Sequence, residues 1–101
     1  MAKKIVELST KKKVELKEMS IDEIDFCNDI TILRQDESGN NYVFGISKAR
    51  TAWLRRGISG GDFKSFKLEE GLVSDKVLKQ LSESEKNELV TIIQDYQTMG
   101  E

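Results

Sequence analysis

The chain has 101 residues, 38% of them hydrophobic and 34% charged, with a net charge of −2. That length supports one small core, and the charged fraction exceeds the roughly 25% usual for a soluble domain. Histidine is absent and Cys27 is the sole cysteine, which excludes Ser-His-Asp and Cys-His nucleophilic catalysis, an intrachain disulfide and a Cys/His zinc site. An enzyme would have to work with carboxylates, lysine or tyrosine. The acidic pairs here, Asp22 with Asp25 or Glu23, Asp36 with Glu37 and Glu69 with Glu70, sit beside each other in helix starts and polar loops. Acid–base pairs need carboxyls brought from separate elements to one cleft. The expectation is therefore a protein that is not an enzyme and carries no metal and no cofactor.

No run of about 18 apolar residues is present, so no membrane partner is expected. The start, Met1 to Lys4 followed by Ile5-Val6-Glu7-Leu8, lacks the apolar stretch of a secretion signal. Together with the missing disulfides this predicts a reducing interior, or a particle assembled there. Charge is distributed in blocks: residues 1–18 carry +3, 19–41 carry −5, 42–67 carry +5 and 68–101 carry −5. Such blocks can attract one another within the fold, or present sign-complementary patches to a partner or a second copy.

Lys4 to Lys17 reads as a β-hairpin. Ile5-Val6-Glu7-Leu8 and Val14-Glu15-Leu16 form its strands, and Ser9-Thr10-Lys11-Lys12 the turn; Val14 and Leu16 alternate with Glu15 as a one-sided strand requires. The lysines at 11, 12, 13 and 17 fall at the turn and on the solvent face, where they discourage edge-to-edge pairing. Ser20-Ile21-Asp22-Glu23 is a capping box. It opens a helix over 20–29 with acidic residues in its first turns and with Cys27 as a small buried hydrophobe. Thr31-Ile32-Leu33 and Tyr42-Val43-Phe44 are two further strands around a polar loop that contains Gly39 and Asn40. A helix follows over 47–56, with Ser47 as N-cap and Gly57 as the residue after its end. Ile46, Ala49 and Trp53 share one face of it. Gly57 to Gly61 reads as a flexible joint. Phe63, Phe66 and Leu68 fit either a short strand or a loose helical turn. Ser74 caps a short helix to Leu81. Ser82-Glu83-Ser84-Glu85 is a second capping box and opens a helix over 82–99, on which Leu89, Ile92, Ile93 and Tyr96 mark the apolar face. Met99 lies one turn on, and Gly100 follows as a stop signal.

The most distinctive patch is Lys48, Arg50, Arg55 and Arg56 around Trp53. Three readings stay open for it. Trp53 can be core with the arginines as its solvated rim. It can be the centre of a protein interface, where Trp and Arg are enriched. It can also be a base-stacking platform flanked by phosphate contacts, although the overall acidity weighs against nucleic acid.

The phrases Lys11-Lys12-Lys13-Val14-Glu15-Leu16-Lys17-Glu18-Met19-Ser20-Ile21-Asp22-Glu23, Thr51-Ala52-Trp53-Leu54-Arg55-Arg56-Gly57 and Leu81-Ser82-Glu83-Ser84-Glu85-Lys86-Asn87-Glu88-Leu89 resemble the small tail assembly chaperones and related tail proteins of tailed bacteriophages. Those proteins tend to open with a short basic β segment leading into an acidic capped helix, and to close with a Leu-Ser/Thr-x-x-Glu helix. The resemblance implies a role in holding the tape-measure protein or delivering tail components, and it brings no catalytic residues. The strand-like stretches at 5–8, 14–16 and 42–44 depart from the mostly helical structures of that family.

The reading is thus one α+β domain. A small antiparallel sheet from the N-terminal half (1–45) packs with helices, and the C-terminal part (46–101) is all helical around a joint at 57–61. The function expected is non-catalytic phage tail assembly or a virion role through protein–protein binding, in the cytoplasm of the infected cell or in the particle. The partners would be other tail proteins or further copies of the chain. Arg50, Trp53, Ile93, Tyr96 and Met99 are the contact candidates, with Arg55 and Arg56 steering. The alternative is a small nucleic-acid-binding regulator using the basic helix 48–56.

Overall fold

A computed structural model of the chain describes residues 3–35 and 37–99, with the side chains of all of these except residues 3, 32–34, 42, 44 and 99. Strands β1 (Lys3–Glu7) and β2 (Lys13–Lys17) pair antiparallel in the register Lys4 with Leu16 and Val6 with Val14. The turn is closed by Leu8 N–H on the Lys12 carbonyl and Lys11 N–H on the Leu8 carbonyl, each 2.8 Å. Val14 and Leu16 are fully buried while Glu15 between them is half-buried, so the alternation read from the sequence holds.

The third strand of this sheet comes from a segment the sequence reads as a joint. Ile58–Gly61 is strand β5, antiparallel to β2, giving the order β1-β2-β5. The register shifts between Glu15 and Leu16, a bulge that brings Gly60 opposite Glu15 and Ile58 opposite Leu16. The glycines serve close approach here. Gly61 has φ 131°, and a Cβ on it would lie 2.5 Å from the Lys13 carbonyl oxygen and 2.8 Å from the Val14 Cα. Gly61→Ala is expected to lower the unfolding free energy by about 2–4 kcal/mol, against about 1 kcal/mol for Gly39→Ala, which carries a strained φ alone. Urea denaturation of the two variants checks this.

Helix α1 (Ile21–Ile30) starts at the capping box: the Glu23 amide donates to Ser20 Oγ at 3.1 Å and the Ser20 amide to Glu23 Oε1 at 3.0 Å. Strands β3 (Ile32–Gln35) and β4 (Asn41–Phe44) form a separate two-stranded ribbon and do not join the main sheet. Helix α2 (Ile46–Gly57) is capped by Gly45 in a left-handed conformation, so Ser47 lies in its first turn and is not the cap. Ile46, Ala49 and Trp53 line the same side of α2, but Ile46, as its first residue, is 63% exposed. Leu68–Glu69 (β6) and Leu72–Val73 (β7) make a miniature hairpin through Glu70 and Gly71, both at positive φ. With β5, this hairpin corrects the expectation that the C-terminal part is all helical. Two-residue strands have no alternation to read, and the glycines of β5 hide it. Phe63 and Phe66 precede β6 in a turn, their rings 6.0 Å apart, with the Lys12 ammonium 5.5 Å from the Phe63 ring. Helix α3 (Asp75–Leu78) is one turn long, and α4 (Glu83–Met99) closes the fold. Gly100 lies outside the described residues.

The class is α+β around one core. Leu16, Leu54, Ile58, Leu89 and Ile93 are fully or almost fully shut from solvent and belong to a single cluster. The two halves are therefore not separable units: β5 completes the N-terminal sheet, and α4 seals it. The α4 side chains grip the hairpin at both ends. Near the helix start, Glu85 and Glu88 accept from Thr10 Oγ1 (2.5 Å) and from the Ser9 hydroxyl (3.1 Å). Near its end, the Gln97 carboxamide accepts from the Met19 amide at 2.8 Å and donates to the Lys17 carbonyl at 3.0 Å.

Candidate functional site

Helix α2 is the centre of the molecule, with α1 and α4 each packed on it. Its inward residues decide the question the sequence leaves open for Trp53. That ring is 5% exposed and belongs to the core cluster. Ile93 is 0% exposed. Both side chains are buried on the apolar faces of α2 and α4, so on the folded surface neither is the exposed contact residue that the sequence reading expects. Tyr96 is half-buried at the core edge and borders a small cleft with Lys4, Ile92 and Asp95. The Met99 side chain lies outside the described residues.

The three arginines around Trp53 are held by the chain itself. Arg50 Nη1 donates to Glu83 Oε1 at 2.8 Å and to Asn87 Oδ1 at 3.1 Å. Arg55 donates to the Val73 carbonyl at 2.6 Å and pairs with the Asp75 carboxylate. Arg56 donates to the Ala52 carbonyl at 3.3 Å, and its guanidinium lies 4.3 Å from the Phe26 ring centroid. The patch does not present a row of uncommitted cations, which is what a nucleic-acid backbone would need.

What the structure does assemble is a shelf between α1, α2 and β7. Phe26 and Ile30 come from α1, Thr51, Ala52 and Arg56 from α2, and Leu72 from β7, around a shallow cavity of about 630 Å³. Lys48, Arg55 and Asp29 complete its rim. Phe26 is 51% exposed, a large aromatic left in solvent by a protein with a limited core. The Arg56 guanidinium lies over its ring. The rim holds three basic groups against one acidic group, although Asp75 meets the charge of Arg55. Sequence reasoning places Arg55 and Arg56 here but misses Phe26, Ile30 and Leu72. The available signal is that Phe26 lies about 100° around the helix from Cys27, off the buried face.

The resolved carboxyl shifts all run downward. Hydrogen bonds from Arg55 and Arg50, then their charges, hold the Asp75 and Glu83 carboxyls below the usual range. Glu85 is held low by the Thr10 hydroxyl and the Ser82 backbone amide. These shifts run opposite to that of a general acid poised near neutral pH. Burial pushes the Cys27 thiol up, against the opposing charge of Arg56. Among the described residues no group of three potential metal ligands comes together, and no helix is long and apolar enough to cross a membrane. Comparison of the chain with protein-family models, with curated proteins and with solved structures gives no match.

Proposed function

We propose that the chain is a non-catalytic assembly protein of a tailed bacteriophage, a tail assembly chaperone or small tail component. It works in the infected cell's cytoplasm or in the particle, by binding other tail proteins through the shelf between α1 and α2. The observation that carries this reading is the half-exposed Phe26 ring, stacked by Arg56 and backed by Ile30 and Leu72. An aromatic anchor beside arginine is the composition of interface hot spots. A basic rim around an apolar centre suits an acidic, amphipathic segment of a partner. The resemblance of residues 11–23, 51–57 and 81–89 to tail chaperones supplies the setting, with the tape-measure protein as the first partner to test.

The purified chain is expected to form a complex with the tape-measure protein of its own phage, seen by size-exclusion chromatography with light scattering. Phe26→Asp should weaken that complex by about tenfold or more and leave thermal unfolding unchanged, since the ring is half in water already. Affinity should also fall from low to high salt as the basic rim is screened. Absence of a complex, or equal binding by the Phe26→Asp variant, counts against the proposal.

A further inference from the structure

Strand β1 ends the three-stranded sheet, and the turn fixes where its main-chain groups point. The Leu8 amide donates across the hairpin to the Lys12 carbonyl, continuing the register in which Val6 meets Val14 and Lys4 meets Leu16. Hydrogen-bonding direction alternates along an antiparallel strand. Lys4 and Val6 therefore bond to β2, and the N–H and C=O groups of Lys3, Ile5 and Glu7 point away from it. No strand among the described residues takes them up. Ile5, in the middle of the three, is 67% exposed, and Glu7 is exposed. Outward main-chain groups along an exposed isoleucine are a template for a further strand. The opposite edge, β5, is a poorer one: its register is broken at the bulge and it ends in two glycines.

The sequence of β1 selects which strand fits. Lys3-Lys4-Ile5-Val6-Glu7 can be laid antiparallel against a second copy of itself, with a two-fold axis at Ile5. Ile5 then lies opposite Ile5, and Lys3 opposite Glu7 on each side of the axis. These are the residues whose main-chain groups point outward, so each such pair closes two hydrogen bonds. Sliding the strands by two residues either way brings Ile5 opposite Lys3 or Glu7 and takes the opposite charges out of register.

Charge favours the same register. Within the hairpin Lys3 lies opposite Lys17, and Glu7 opposite Lys13. Like charges directly opposite each other are unfavourable. The second copy brings Glu7 to the open side of Lys3, which places each acidic residue between two lysines. Lysine commonly guards a free sheet edge; this edge carries the residue that answers it. On the core side of the sheet, Lys4 comes opposite the half-buried Val6 of the other copy, where its aliphatic stem can cover the valine.

We propose that β1 is a self-association edge: two copies of the chain pair β1 to β1 about Ile5 and merge their sheets into one. The contact is isologous and closes at two copies. This surface is separate from the shelf and does not depend on the phage assignment. A five-residue edge buries less than a standard interface, so the dimer is weak, with a dissociation constant of roughly 10 µM to 1 mM.

Sedimentation equilibrium of the full chain across that concentration range should show reversible conversion of monomer to dimer. Ile5→Pro removes an outward N–H at the axis and no bond of the hairpin, a position where a sheet edge tolerates proline. It should abolish the dimer and leave the circular dichroism spectrum unchanged. Lys3→Glu should weaken the dimer about five- to tenfold at low salt, since it sets like charges opposite each other twice. The same change puts opposite charges at Lys17 in the hairpin, so it should not lower the temperature of thermal unfolding. Adding Glu7→Lys to it should restore dimerisation. Should Ile5→Pro fail to fold, the charge swap decides alone. Phe26→Asp should leave the dimer intact. The proposal is overturned if the chain stays monomeric across the range, if it grows beyond a dimer, if folded Ile5→Pro dimerises like the wild type, if Glu7→Lys does not rescue Lys3→Glu, or if Phe26→Asp alone dissolves the dimer.

Discussion

Ile93→Ala is expected to lower the unfolding free energy by about 2–5 kcal/mol, the cost of a large-to-small change at a site with no solvent access. The reason lies in how closely α2 and α4 approach. A Cβ placed on Gly57, the last residue of α2, would lie 2.6 Å from Ile93 Cγ2 and 3.0 Å from its Cδ1. Gly57→Ala gains about 1 kcal/mol of helix propensity but overpacks a rigid contact at about 1–3 kcal/mol, so it should be neutral to destabilising. Combined, the two changes should cost measurably less than their sum, because the new methyl enters space that the isoleucine vacates. A double-mutant cycle by urea denaturation reads this coupling directly. Strict additivity would mean that the two helices do not meet at this point.

Glu85→Ala is expected to cost about 2–3 kcal/mol, because one side chain completes two structures. Its Oε1 accepts from the Ser82 amide at 2.8 Å while its own amide donates to Ser82 Oγ at 3.1 Å, forming the box that opens α4. Its Oε2 accepts from Thr10 Oγ1 at the hairpin turn. The residue is 7% exposed, the one charged residue among the buried ones described. The sign of the pH dependence follows. The folded carboxyl titrates below its unfolded value, with the Thr10 hydroxyl as the first cause. Its contribution is therefore complete above the unfolded value of about 4.3 and is lost as pH falls through the depressed folded value. The wild-type chain should lose stability along this acid limb. Glu85→Ala should start lower at neutral pH and fall less steeply, as followed by chemical denaturation at a series of pH values.

The parts of the fold that were legible in the sequence are those whose signals are local. Ser20 with Glu23, and Ser82 with Glu85, form the reciprocal bonds their spacing predicts, and the alternation of Val14, Glu15 and Leu16 marks the inner face of β2. Cys27 is buried, as its helical position implies. The illegible parts depend on distant residues. Ile58 to Gly61 looks like a joint because glycine carries no alternation; that it is a strand depends on a bulge 42 to 45 residues earlier, at Glu15 and Leu16. Trp53 can be read as core, as interface or as a stacking platform until α4 is placed against it. Arg50, Arg55 and Arg56 read as one basic patch, yet their partners Glu83, Asp75 and Phe26 lie on three different elements. The shelf was visible only through its arginines, since a single aromatic off the apolar face of α1 has no periodicity to announce it.

The grip of α4 on the hairpin has a consequence for how the molecule comes into being. The bonds from Glu85 and Glu88 to Thr10 and Ser9, and from Gln97 to Lys17 and Met19, span 75 to 80 positions along the chain. A nascent polypeptide emerging from the ribosome exposes Val14 and Leu16 long before their cover exists. At usual translation speeds that interval is on the order of several seconds. The hairpin must wait, sticky and unsheltered, until the final helix is synthesised and docks.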